Sequence, residues 1–220
     1  MFGKKLRAWY RQNARDLPWR RTRNAYEILV SELMLQQTQV SRVQTRYGEF
    51  LTRFPTLADV ARSRPAQVTE AWEGLGYYAR ARNLHALARQ VTKGGRSPNE
   101  PIPADPEALR ELPGIGAYTA GAVASFAYER RAALVDTNVA RVLRRAFAPS
   151  ANVRTSSGQR IVWNIAEDIL PRTGRVTWTH NQALMELGAL VCTARVAHCG
   201  RCPVSGVCKT ASKLMRRRSA

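Results

Sequence analysis

Acidic residues are scarce in this chain. Only 16 of its 220 residues are Asp or Glu, against 35 Lys and Arg, for a formal charge of +19. Such a surplus excludes an enzyme of ordinary charge balance and points to a polyanionic partner, nucleic acid first. The plainer source of the same charge is the Arg-rich composition of a GC-rich genome. Long apolar runs are missing too: no stretch of 18 apolar residues occurs, which excludes a transmembrane helix. Met1-Phe2-Gly3-Lys4-Lys5-Leu6-Arg7 lacks the apolar centre of a signal peptide, so the expected location is the cytoplasm, at the nucleoid. Asn-Gly and Asp-Gly turns are absent, and so are alternating apolar runs, which argues against hairpin-built β-structure. Cysteine is absent from the first 191 residues and then occurs at 192, 199, 202 and 208. In a reducing compartment such a cluster is more often a metal site than two disulfides.

What is present is helical. Apolar residues make up 45% of the chain, enough for a core in one large domain or two small ones. Tyr26, Leu29, Val30 and Leu33 form one stripe at helical spacing, and Val40, Val43, Tyr47, Phe50 and Phe54 form another. The polar block Gln36-Gln37-Thr38-Gln39 separates them. Pro55, Pro65, the Gly74–Gly76 region and Gly94-Gly95 punctuate further helices. Residues 94–106 read as a connecting loop, with helices resuming at 106, 117, 138, 158 and 178. The expected class is all-α, without repeats. The residues after Cys208 are basic and read as unstructured, with Arg216-Arg217-Arg218 as a solvated end.

Two segments carry chemistry. Leu112-Pro113-Gly114-Ile115-Gly116 is a short apolar loop between helical patterns. Both glycines permit positive φ and close approach of another backbone. The helix that follows offers unpaired N–H groups, which attract phosphate. By itself the segment is equally a plain helix connection; the charge of +19 favours DNA backbone binding. The second segment is Cys-x6-Cys-x2-Cys-x5-Cys, with Arg195, His198, Arg201 and Lys209 interleaved. A structural zinc site usually shows two close pairs, and only Cys199 and Cys202 form one. Four thiolates within 17 residues also suit the corners of an iron–sulfur cube. Spacing alone leaves both open.

The hairpin resembles the helix-hairpin-helix of base-excision DNA glycosylases, and the cysteine box resembles that of the endonuclease III and MutY branch. Leu17-Pro18-Trp19-Arg20, Ser31-Glu32-Leu33-Met34-Leu35-Gln36-Gln37-Thr38-Gln39-Val40 and Gly74-Leu75-Gly76-Tyr77-Tyr78-Ala79-Arg80-Ala81-Arg82-Asn83-Leu84 are similar to the MutY-type adenine DNA glycosylases. The resemblance covers Leu17 to Cys208. It implies a [4Fe–4S] cluster held by Cys192, Cys199, Cys202 and Cys208. It implies a six-helix barrel lobe over 23–130, with the hairpin, and an iron–sulfur lobe from 1–22 and 131–220, with duplex DNA bound across the cleft by a monomer. Glu32 lies among Ile28, Leu29 and Leu35, and an apolar wall disfavours the charged carboxylate. It is the expected general acid, protonating adenine at N7. Asp136 is expected to stabilise the oxocarbenium-like sugar and to cap the next helix, with Asn138 beside it at the sugar. Leu35, Gln37 and Tyr77 match residues inserted at the lesion. Arg15, Trp19 and Arg20 match the base pocket, and Gly114 and Gly116 match the phosphate-binding hairpin.

Two residues depart from that pattern. Tyr118 stands where endonuclease III has its imine-forming Lys, so strong strand cleavage is not expected. In some MutY enzymes this Tyr is hydrogen-bonded near the aspartate, and thymine glycosylases of T·G mismatches also carry Tyr here. Thr137 replaces the usual MutY Gly and matches endonuclease III. Twelve residues follow Cys208, too few for the MutT-like region that reads 8-oxoguanine, so the chain resembles the catalytic half alone. The expected function is removal of adenine opposite 8-oxoguanine or guanine, with weak or no lyase activity. The alternatives are a thymine or uracil glycosylase of T·G and U·G pairs, an endonuclease III-like enzyme, or a non-catalytic iron–sulfur DNA-binding protein.

Overall fold

The computed structural model describes residues 1–93 and 102–216. Most of the expected 94–106 loop, and Arg217 and Arg218 of the basic run, lie outside the described residues. Twelve α-helices are described, and no β-strand; a lone bridge pairs Cys192 with Ala197. No helix among the described residues is long and apolar enough to cross a membrane. The chain folds as two compact units, an inserted unit of residues 16–128 and a terminal unit of residues 1–15 with 129 onward.

The inserted unit is built around α2 (Ala25–Leu35), whose residues from Ile28 to Met34 are all buried. A helix buried on every side is a core helix. Asn24 caps it, its side chain accepting the N–H groups of Tyr26 at 2.9 Å and Glu27 at 3.2 Å. The polar block ends α2 at Leu35, and α3 (Val40–Arg53) packs back on it through Val43, Tyr47 and Phe50. α4 (Leu57–Arg62) opens with a Thr56–Asp59 capping box and lies on α6 (Ala79–Lys93). α5 (Pro65–Glu70) starts on a proline, which suits a first-turn position lacking an N–H partner. The Trp72 and Phe50 rings meet edge to face at 5.5 Å. α7 (Pro106–Arg110) and α8 (Ala117–Tyr128) flank the hairpin. Ala120, Gly121, Ala122 and Ala124 make α8 narrow enough to lie directly against α2.

The terminal unit packs α1 (Phe2–Asn13) on α11 (Gly174–Leu190), through Leu6 and Tyr10. α9 (Thr137–Phe147) lies against α11 and α10 (Ser156–Asp168). One correction concerns the end of the chain. The residues after Cys208 form a further helix, α12 (Lys209–Arg216), which packs on α9. The Thr210 hydroxyl donates to the Arg145 carbonyl at 2.6 Å, a tertiary contact that local sequence does not announce.

His180 of α11 is fully buried, neither ring nitrogen has a hydrogen-bond partner, and burial holds its pKa down at about 4. The folded state keeps this ring neutral while the unfolded chain protonates it near the usual 6.5. Its contribution to stability is therefore complete above pH 6.5 and is lost as pH falls toward about 4. Denaturation curves at about pH 7 and about pH 4.5 should differ by up to about 3 kcal/mol from this group, and His180→Leu should flatten that dependence. Equal pH slopes in wild type and variant would contradict the assignment.

Candidate active site and cysteine loop

Glu32 sits in the last turn of α2 and is 2% exposed. Its Oε2 accepts the Tyr118 hydroxyl at 2.7 Å. Tyr118 is the second residue past Gly116, so the hairpin delivers it in the first turn of α8, the helix packed on α2. A buried carboxyl without a hydrogen-bond partner costs several kcal/mol, on the order of 2–7 for a polar group. The phenol supplies that partner. Beside it, Gln36 Nε2 donates to the buried Thr119 hydroxyl at 3.3 Å, a second tie between the end of α2 and α8.

Asp136 caps α9: Oδ1 accepts the Val139 N–H at 2.6 Å. Its Oδ2 accepts the Asn138 amide at 3.0 Å, which holds the carboxylate from its other side. The Asn138 side-chain Oδ1 in turn accepts from Arg141 Nη2 at 2.7 Å. Arg141 also donates to the Cys192 carbonyl at 2.8 Å and the Gly188 carbonyl at 2.9 Å. A Cβ on Gly188 would stand 2.7 Å from the Asn138 Cβ, so glycine is what lets α9 begin this close to α11.

The four cysteine thiols are all half-buried. Burial pushes the Cys202 thiol up to about 11, helped by the negative charge of Cys192, Cys208 and Cys199 nearby. Arg145 lines the loop. It donates to the Cys192 sulfur at 3.3 Å and the Thr193 carbonyl at 2.8 Å, and its carbonyl faces the Cys208 sulfur at 3.4 Å. Among the described residues, no three His, Cys, Asp or Glu side chains are grouped to hold one metal ion.

At the hairpin only one glycine behaves as expected. Gly114 has φ +78°, and a Cβ there would meet Asn83 at 2.7 Å. Gly116 does not take positive φ; open space surrounds the position of its missing Cβ. Leu35 is half-buried at the end of α2. Gln37 and Tyr77 are both exposed and both left-handed, at φ +55° and +47°. Tyr77 is 60% exposed, the wrong surroundings for a core aromatic.

The proposed base-pocket residues are engaged internally. Arg15 makes a bidentate ion pair with Glu186, Nε to Oε1 and Nη2 to Oε2, both at 2.9 Å, and the Glu186 side chain is wholly buried. Trp19 is buried in a 3₁₀ turn (Pro18–Arg20), its ring 5.5 Å from Tyr47, edge on. Arg20 is half-buried. Sequence reasoning missed Arg80, Arg141, Arg145 and Gly188. Their partners lie up to 65 residues away, and only a fold brings them together.

Residues 30–167 match the HhH-GPD superfamily of base excision DNA repair proteins, and the chain belongs to that family. It is 46% identical to an adenine DNA glycosylase of Mycolicibacterium smegmatis, over 91% of this chain and 66% of that protein. It is 42% identical to the adenine DNA glycosylase of Rattus norvegicus, over 94% of this chain but 41% of that protein. It therefore spans between two fifths and two thirds of these relatives' lengths. Among solved structures, a thermostable thymine-DNA glycosylase superposes with a TM-score of 0.85 at 30% identity, covering 96% of this chain and 95% of that one. A trapped endonuclease III–DNA covalent intermediate shares the fold, with a TM-score of 0.79 at 24% identity.

Proposed function

We propose that the chain is a DNA glycosylase that hydrolyses the N-glycosidic bond of adenine mispaired with 8-oxoguanine or guanine in duplex DNA. The observation that carries this is the buried Glu32 carboxyl, hydrogen-bonded by Tyr118 and five residues before the exposed Gln37. In this reading Glu32 gives its proton to adenine N7, so the base leaves neutral. The C1′–N9 electrons go with the base, and the sugar becomes oxocarbenium-like. Asp136 stabilises that positive charge, and Asn138 holds its carboxylate in place. Water adds to C1′ and releases a proton, closing the balance. The Tyr118 phenol cannot form an imine, so the strand stays intact.

Base extrusion costs a few kcal/mol of stacking, which wedge residues offset. Leu35, Gln37 and Tyr77 are the wedges in this reading. The open face at Gly116 and the first N–H groups of α8 take a phosphate. Arg15, Trp19 and Arg20 contact DNA in this reading, with Arg15 braced by Glu186 and Trp19 by Tyr47. The protein acts as a monomer at the nucleoid.

Four half-buried thiols close enough to feel one another fit a [4Fe–4S] cluster. A cube takes each thiolate on a different iron, so its ligands do not converge on a point. Cys192, Cys199, Cys202 and Cys208 would hold it. The group supplies folding energy and a rigid loop, and no step of base removal runs through it.

A thymine reading has one specific support, the full-length likeness to a thymine-DNA glycosylase together with Tyr118. The higher identity to adenine glycosylases favours adenine.

Base release should be fastest on A·8-oxoG and A·G duplexes, and negligible on T·G and U·G. Glu32→Gln and Asp136→Asn should each lose roughly 10²–10⁴-fold, with duplex affinity nearly intact. The Asn variant keeps the helix cap, so folding should survive. Faster release from T·G would move the assignment to thymine, and full activity of Glu32→Gln would remove the acid.

Purified protein should contain iron and sulfide and absorb broadly in the violet-to-blue region. Cys199→Ser should lose both that absorbance and folded yield. One zinc and no iron would overturn the cluster.

A further inference from the structure

Arg80 is 6% exposed, although Arg is almost never buried without a purpose for its charge. None of its contacts is a carboxylate. Its guanidinium is spent on backbone carbonyls and one hydroxyl. Nη1 donates to the carbonyls of Leu33 at 2.7 Å, Met34 at 2.8 Å and Gln36 at 2.6 Å. Nη2 donates to the Thr38 hydroxyl at 3.1 Å and to the carbonyls of Leu75 at 3.0 Å and Gly76 at 2.9 Å. Nε reaches the Tyr77 carbonyl at 3.4 Å. The charged plane also lies 5.7 Å from the Trp72 ring centre and 5.5 Å from that of Tyr77.

These partners come from three places. Leu33 and Met34 belong to the last turn of α2, whose final carbonyls have no helical partner and carry the negative end of the dipole. Gln36 and Thr38 flank Gln37. Leu75, Gly76 and the Tyr77 carbonyl form the turn that presents the Tyr77 ring. Gln37 and Tyr77 hold left-handed backbones, and such strain persists only when the surroundings over-determine it. One guanidinium bonds to both loops and to the end of the helix that carries Glu32.

We infer that Arg80 is a positioning residue for base extrusion: it locks the Gln37 and Tyr77 loops in their strained, outward-presenting shape and fixes both to the end of the Glu32 helix. The inference rests on reading Gln37 and Tyr77 as wedges. DNA then meets a wedge pair that is already ordered, and binding does not have to pay for ordering it. A lysine retains the charge but cannot span seven acceptors with one ammonium.

A double-mutant cycle on the full-length, cluster-containing protein tests this. A duplex carrying 2-aminopurine at the target position reports extrusion by its fluorescence, read by rapid mixing before base release. Gln37→Ala and Tyr77→Ala should each lower the extruded fraction about tenfold, and Arg80→Lys should do the same with affinity for undamaged duplex nearly unchanged. Arg80→Lys combined with Gln37→Ala should lose little more than either alone, because both remove one device. A merely structural arginine would instead give losses that multiply, and multiplied losses overturn the inference, as does wild-type extrusion by Arg80→Lys. If Gln37→Ala and Tyr77→Ala both extrude like wild type, the wedge reading itself fails and the inference with it. Should Arg80→Lys not fold, Thr38→Val removes one guanidinium contact together with the hydroxyl's own donations to the Gln36 and Leu75 carbonyls, and enters the same cycle with Gln37→Ala, with the same two outcomes.

Discussion

The hydrogen bond from Tyr118 to Glu32 joins two helices that could otherwise pack as plain apolar cylinders. A carboxyl in such an interface is costly, and its position constrains everything around it. α2 has to be buried on all sides to surround the acid. α8 has to be slim, so its inner face is alanine and glycine. The hairpin has to be tight, because Tyr118 follows it by two residues and reaches Glu32 only if α8 starts there. Gly114 makes that tightness possible, since any side chain at φ +78° would run into Asn83.

The terminal unit repeats the economy of using one group for structure and chemistry together. Asp136 satisfies the first turn of α9 and offers a carboxylate oriented by Asn138. Asn138 is itself fixed by Arg141 and sits against Gly188. Arg145, one turn further on, faces the cysteine loop. α9 is thus a stiff bar whose first turn carries the candidate sugar-facing groups and whose last turn braces the thiols.

Much of this was legible in the sequence because it is local. The break at Gln36–Gln39, the all-α class and the onset of α9 at Thr137 follow from periodicity and caps. Asp136 as a cap follows from its place before a helical run. What was not legible depends on distant partners. Glu32 and Tyr118 were each singled out, but their contact spans 86 residues and no local pattern encodes it. Arg15 matched the base pocket, but its ion pair with Glu186, 171 residues on, has no local signal. α12 read as unstructured because its stability comes from packing on α9, not from its own short basic sequence. Gly116 read as a positive-φ glycine, but openness rather than backbone angle is what its missing side chain provides.

In the proposed reaction a proton passes from Glu32 to N7 of the departing adenine. Single-turnover base release from matched duplexes bearing adenine or 7-deazaadenine opposite 8-oxoguanine measures that transfer most directly. The analogue keeps the pairing edge and the ring shape but has no N7 to protonate. The account predicts release of adenine and a fall of roughly a hundredfold or more for the analogue, at similar duplex affinity. Equal rates for the two bases would contradict it.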